Sequence, residues 1–217
     1  MALRQLNPYH LGWLHRKTIQ KAILARFQIH PTFISRTNIL ISLIGLPGSG
    51  KTTVGRQLAR RKQLPFTDSD HVLESRLGCS ITEYFAQQGE ELFRDAEQQV
   101  LDDLTQGEPC VLSTGGGAVL RPLNRKHLHD RGQVVYLKSH PEELFRRLKR
   151  DSTRPLLQVA DPLARLRDLY AERDPLYRET AHFVIETGRP SVATLVNMIV
   201  MQLELAGVQV QDGPLIG

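Results

Sequence analysis

The residues Gly45-Leu-Pro-Gly-Ser-Gly-Lys51-Thr52 satisfy the spacing G-x-x-x-x-G-K-[ST] directly after an apolar run and before a helical one. That pattern is built to hold phosphate. Glycines let the backbone wrap with its N–H groups inward, and a helix starting near Thr52 adds partial positive charge. Lys51 reaches the β and γ phosphates, and the Thr52 hydroxyl suits Mg²⁺. Gly48, Ser49, Gly50, Lys51, Thr52 and Thr53 are therefore the expected nucleotide-binding set. The spacing alone does not separate a hydrolase from a kinase, so an acceptor site has to be found elsewhere in the chain.

Five further stretches could supply it. Phe66-Thr-Asp68-Ser-Asp70 carries two carboxylates two residues apart at the end of an apolar run, the first acidic residues in the sequence. On an extended segment both would point to one side, towards the phosphate loop if the two strands are neighbours. Asp68 would then support Mg²⁺ through water, and Asp70 would take a proton or hydrogen bond from an acceptor hydroxyl, the alternative being that Asp70 caps the next helix. Arg94 and Glu97 share a helical face by i, i+3 spacing, as a surface salt bridge also would. Ser113-Thr-Gly115-Gly116-Gly117 lets backbone come close to a ligand with N–H donors available. Arg154, in the polar, Pro-containing stretch Arg150-Asp-Ser-Thr-Arg-Pro, suits a lid that closes over the phosphates. Arg173, in Ala171-Glu-Arg-Asp-Pro-Leu-Tyr177 where a helix is expected to end, could grip a carboxylate in a fork.

These residues must be held by alternating elements. Apolar β-branched runs at 39–44, 64–67, 110–113, 134–137 and 182–186 read as strands. Between them helices are expected to start near Thr52, Asp70, Glu90, Pro122, Pro141, Pro162 and Pro190, with a short one after the capping box Ser80-Ile-Thr-Glu83. Strands alternating with helices imply a parallel sheet with crossover helices. The chain has 217 residues and a formal charge of +5. Residues 1–36 hold six basic groups and no acid, which leaves 22 basic against 23 acidic residues in the remainder. The basicity thus belongs to an N-terminal extension, and the remainder gives no electrostatic reason to bind nucleic acid. The longest apolar run is too short to cross a bilayer, so no membrane partner is expected. Cys79 and Cys110 match no metal or disulfide spacing, which fits a reducing cytoplasm.

Taken together, the order P-loop, D-S-D, F-R-x-x-E, T-G-G-G, R-P-L-L and R-x-P-L-Y resembles the shikimate kinases, over roughly residues 38–205. The resemblance implies a three-layer α/β/α P-loop kinase with a five-stranded parallel sheet and a mobile lid near 148–162, using ATP and Mg²⁺ and acting as a monomer. It implies a kinase domain over 37–206, while the tail over 207–217, with Gly213 and Pro214, is expected from its composition to be flexible. By the same resemblance, Lys51 binds phosphate, Thr52 and Asp68 serve the magnesium and Asp70 sits at the reacting hydroxyl. Arg94, Gly115, Gly116, Gly117 and Arg173 receive shikimate, with Glu97 orienting Arg94. Arg154 is the lid arginine, Arg147 stacks on adenine and Arg189 lines the same pocket. Two rivals stay open: another small-molecule kinase, for gluconate or a nucleotide, and a non-catalytic ligand sensor. A sensor with a DNA-binding module is disfavoured because residues 1–36 are too few for a typical helix-turn-helix domain.

Overall fold

The computed structural model describes residues 39–148 and 160–208. The N-terminal extension, Arg154 with most of the expected lid, and nearly all of the tail lie outside the described residues.

Strand β1 (Ile41–Ile44) leads through the glycine-rich loop into α1 (Lys51–Lys62), then β2 (Phe66–Asp68), α2 (Ser69–Leu77), α3 (Ile81–Gln106) and β3 (Val111–Ser113). Next come α4 (Pro122–Arg131), β4 (Gln133–Lys138), α5 (Pro141–Leu148), α6 (Pro162–Thr180), β5 (Phe183–Glu186) and α7 (Val192–Leu205). The strands form one parallel sheet in the order β2-β3-β1-β4-β5. The chain leaves β1 for β2 on one side and later crosses to β4 on the other. The loops after β1 and β3 thereby open a crevice at the carboxyl edge, where ligands bind in open α/β sheets.

Successive residues of each strand feed opposite faces, and both faces are covered. Ile41, Leu43, Val111, Val135 and Ile185 meet Val54 and Leu58 of α1 and Leu195 and Ile199 of α7. On the other face Ile44, Leu112, Val134 and Tyr136 meet Leu101, Leu128, Leu144, Leu166 and Tyr177. A parallel sheet buried on both sides requires such continuous apolar strands. Gly55 lets α1 seat on the sheet, since a β-carbon there would lie 2.7 Å from the Phe66 ring.

The element boundaries depart from the sequence reading at three places, and the longest helix keeps both of its expected starts. The second strand starts later than expected because Leu64 closes α1, donating its N–H to the Ala59 carbonyl after Gln63 turns left-handed (φ 52°). The helix before Gly107 runs from the Ser80 capping box to Gln106, but Gly89 (φ 81°, ψ 177°) breaks it, so the two expected starts, after Ser80 and near Glu90, both exist. Pro190 precedes α7 instead of opening it, because Ser191 is the cap and accepts the Thr194 N–H. The helix carrying Arg173 does not end there: Pro175 lies inside α6, which continues to Thr180 with Tyr177 buried in the core.

Candidate active site

A cleft of about 450 Å³ opens at the carboxyl edge, lined by Pro47, Gly48, Gly50, Lys51, Thr52, Thr53, Asp68, Asp70, Ser113, Thr114, Gly116, Arg147 and Leu148. Its floor is the loop between β1 and α1. Gly48 and Gly50 have φ of 82° and 94°, a region open to glycine, so the loop can curl with its amides inward. Lys51 reaches back over the curl, its Nζ donating to the carbonyls of Gly45 (2.8 Å) and Leu46 (3.0 Å). Ser49 is buried beside Gly45 and does not line the cleft, whereas Thr53 does.

Asp68 joins the loop to the second strand. Its Oδ2 accepts the Thr52 hydroxyl at 3.0 Å and its Oδ1 accepts the Asp70 N–H at 3.2 Å, which makes Asp68 the cap of α2. The alternative reading of Asp70 as the cap is thereby corrected. So is the expectation that both carboxylates sit on one extended segment, and the condition attached to it, that their strand neighbour the phosphate loop, is not met. β3 lies between β1 and β2, and Asp70 is in the first turn of α2. The two acids still face one cleft because a strand ending in a capped helix turns the chain back over the edge of the sheet. Ser113, at the end of the intervening β3, has its Oγ 3.5 Å from that of Thr52. Hydroxyl and carboxylate oxygens so placed are a hard donor set that suits Mg²⁺.

The Asp70 carboxyl is pushed up to about 6, first by burial and next by the charge of Asp68, against the pull of Lys51. A carboxyl of that strength is still largely ionised at neutral pH and able to take a proton there.

The glycine run is where the rest of the site meets. None of Gly115, Gly116 and Gly117 has a positive φ, so space, not backbone conformation, demands glycine. A β-carbon on Gly115 would lie 2.6 Å from Asp70 Oδ1 and 3.1 Å from Glu97 Oε1. One on Gly116 would lie 2.7 Å from Pro47 of the phosphate loop, and one on Gly117 would strike the Arg94 guanidinium. Contrary to expectation the Gly115 N–H is not available to a ligand, since it donates to Ser69 Oγ at 3.1 Å. The Gly116 carbonyl accepts from Tyr177 Oη at 2.6 Å and from Arg173 Nη1 at 3.2 Å. Arg173 is half-buried, and its Nε has no hydrogen-bond partner among the described residues. Arg94 Nη1 donates to Glu97 Oε2 at 2.7 Å. Glu97 is buried, which raises its carboxyl, with Arg94 opposing that rise. The pair is thus an interior fixture and not a surface salt bridge.

On the opposite wall Arg147 donates from Nη2 to the carbonyls of Thr187 and Gly188, placing it at the mouth of the cleft. Arg189, one residue further, is exposed and outside the cleft lining. Sequence reasoning gave no part to Pro47, Ser69 or Ser113. Each acts through a contact far along the chain, and Ser113 becomes legible only once β3 is known to adjoin β1.

Known proteins resemble this chain in sequence and in fold. The profile of the family described as shikimate kinase matches residues 47–204. A shikimate kinase of Paracidovorax citrulli is 61% identical over 172 residues, covering 78% of this chain and 94% of its own. One of Burkholderia thailandensis is 58% identical over 171 residues, covering 79% and 93%. Among solved structures, the shikimate kinase of Acinetobacter baumannii in complex with shikimate superposes with a TM-score of 0.74 at 46% identity, covering 79% of this chain and 96% of that one. With its motifs, sheet order and relatives in agreement, the chain belongs to the shikimate kinase family.

Proposed function

We propose that this protein transfers the γ-phosphoryl group of ATP to the 3-hydroxyl of shikimate, giving ADP and shikimate 3-phosphate, a step towards chorismate and the aromatic amino acids. The observation that carries this reading is the glycine turn pressed at once against Asp70, Arg94 and Pro47, with Arg173 on its carbonyl. Hydroxyl-activating, carboxylate-gripping and phosphate-binding groups are thereby fixed to one rigid piece of backbone. Such positioning is most of what phosphoryl transfer asks of a protein.

In this reading Arg94 and Arg173 grip the acceptor carboxylate, Glu97 holds Arg94 in aim and Asp70 accepts the hydroxyl proton. Lys51 and the loop amides cradle the phosphates. Arg147 borders the adenine, with Arg189 beyond it. Arg154, outside the described residues, completes the charge cover over the phosphates. Thr52 and Asp68 would hold Mg²⁺, which would supply charge neutralisation at the phosphates. The catalytic domain is assigned to residues 37–206, and it acts as a monomer in the cytoplasm without nucleic acid.

The acceptor grip is tested by replacing shikimate with its methyl ester in a coupled ADP-release assay. Loss of the carboxylate removes the group that the half-buried Arg94 and Arg173 are set to grip and should lower kcat/KM by about 100-fold or more. Equal turnover of acid and ester would overturn the assignment of Arg94 and Arg173.

A further inference from the structure

Arg94 has a second carboxylate partner that the acceptor reading does not use. Its Nε lies 3.4 Å and its Nη2 3.2 Å from Glu90 Oε1. That Nε–Nη2 edge is one of the two-donor faces by which a guanidinium takes a carboxylate side-on. Nη1 is already committed to Glu97 at 2.7 Å. Phe93 and Gly117 crowd the guanidinium: its central carbon is 5.0 Å from the Phe93 ring centroid, and Gly117 admits no β-carbon.

The two acidic partners differ in what holds them. The Glu97 side chain is 5% exposed and seated against Gly115, whereas that of Glu90 is 61% exposed. Glu90 also follows Gly89, whose ψ of 177° separates the two halves of α3. It therefore stands in the first turn of a helix, where a carboxylate is stabilised by the helix dipole even without Arg94. It has somewhere to go.

We propose that Glu90 is a displaceable counter-ion that covers the acceptor-gripping edge of Arg94 and competes there with the carboxylate of the incoming substrate. It thereby sets acceptor affinity and screens Arg94 from weak anions. Glu97 fixes where the guanidinium points, and Glu90 fixes how readily it is given up. This rests on the reading that Arg94 grips the acceptor carboxylate.

The test is calorimetric titration of the full chain with shikimate, on the parent protein, Glu90→Gln, Glu90→Ala and Arg94→Gln, with acetate as a competing anion. Exposed ion pairs are weak, so removing the competitor should tighten shikimate Kd by about three- to fivefold in both Glu90 variants. KM for shikimate should fall in step, and acetate should become a stronger competitor. A merely structural glutamate would give none of these changes. Unchanged or weaker shikimate binding in both Glu90 variants overturns the proposal while leaving the acceptor site standing. If Arg94→Gln binds shikimate as well as the parent, the acceptor reading itself fails, and the role of Glu90 with it.

Discussion

Asp70 is held charged where burial disfavours charge, and that tension can be measured separately from catalysis. Its carboxyl is raised from 3.8 to about 6, so the folded protein binds this proton more tightly than the unfolded chain does. The linked stability is therefore fully present below about pH 4 and is lost as pH rises towards 6. Above that, ionised Asp70 costs roughly 2–3 kcal/mol. Asp70→Asn should accordingly raise the Tm by several degrees at pH 7 while lowering kcat about 100-fold or more. A pH profile of kcat/KM in the parent should show an acid limb near 6. An unshifted Tm together with a limb near 4 would mean that Asp70 is not buried as described. Lys51→Ala removes the ammonium that the Gly45 and Leu46 carbonyls hold over the loop, and single-turnover kinetics should show a loss of about 100-fold or more. Lys51 was legible in the sequence because the whole phosphate loop is local. Glu90 was not, because its i, i+4 spacing from Arg94 reads the same for a displaceable competitor as for an ordinary helical ion pair.

Elements act here by bringing glycines against side chains. Gly117→Ala pushes the Arg94 guanidinium off its seat and should raise the shikimate KM about tenfold or more while leaving the ATP KM in place. Gly107→Ala serves as the control, since its β-carbon would meet only ordinary contacts at 3.5 Å and should leave both KM values unchanged. The alternation of strand and helix was readable from hydrophobic period and turn residues. The triple glycine was readable as close approach, but not what it approaches, because Asp70, Pro47 and Arg94 reach it from three separate elements. For the same reason the condition under which Asp68 and Asp70 would face the phosphate loop, that the two strands be neighbours, could not be checked in the sequence and is not met. Their strand does not adjoin the phosphate loop, and it is the capped turn into α2 that carries Asp70 across. Pro175 misled in the other direction, since burial of Tyr177 and its hydrogen bond to Gly116 carry α6 past a proline that would stop an isolated helix.

At the scale of the molecule, strand order sets β1 between β3 and β4, so the phosphate loop leaves the centre of the sheet with Asp70 and the glycine turn on one flank and Arg147 on the other. That order is not encoded in any local pattern, and the sequence reading stopped at a five-stranded parallel sheet without it. Among the described residues no helix is long and apolar enough to cross a membrane. The assignment of the catalytic domain to residues 37–206 predicts that a chain trimmed to that span keeps kcat/KM for both substrates within about threefold of the full protein. A larger loss would give the basic N-terminal segment a part in catalysis. The central claim, that one rigid glycine turn couples a phosphate loop to a site for shikimate, is tested most directly by acceptor choice. ADP release is measured with ATP and Mg²⁺ against shikimate, gluconate and nucleoside monophosphates in parallel. Shikimate should be turned over with a kcat/KM at least about 100-fold above any other acceptor, and a preference for gluconate or a nucleotide would contradict the account.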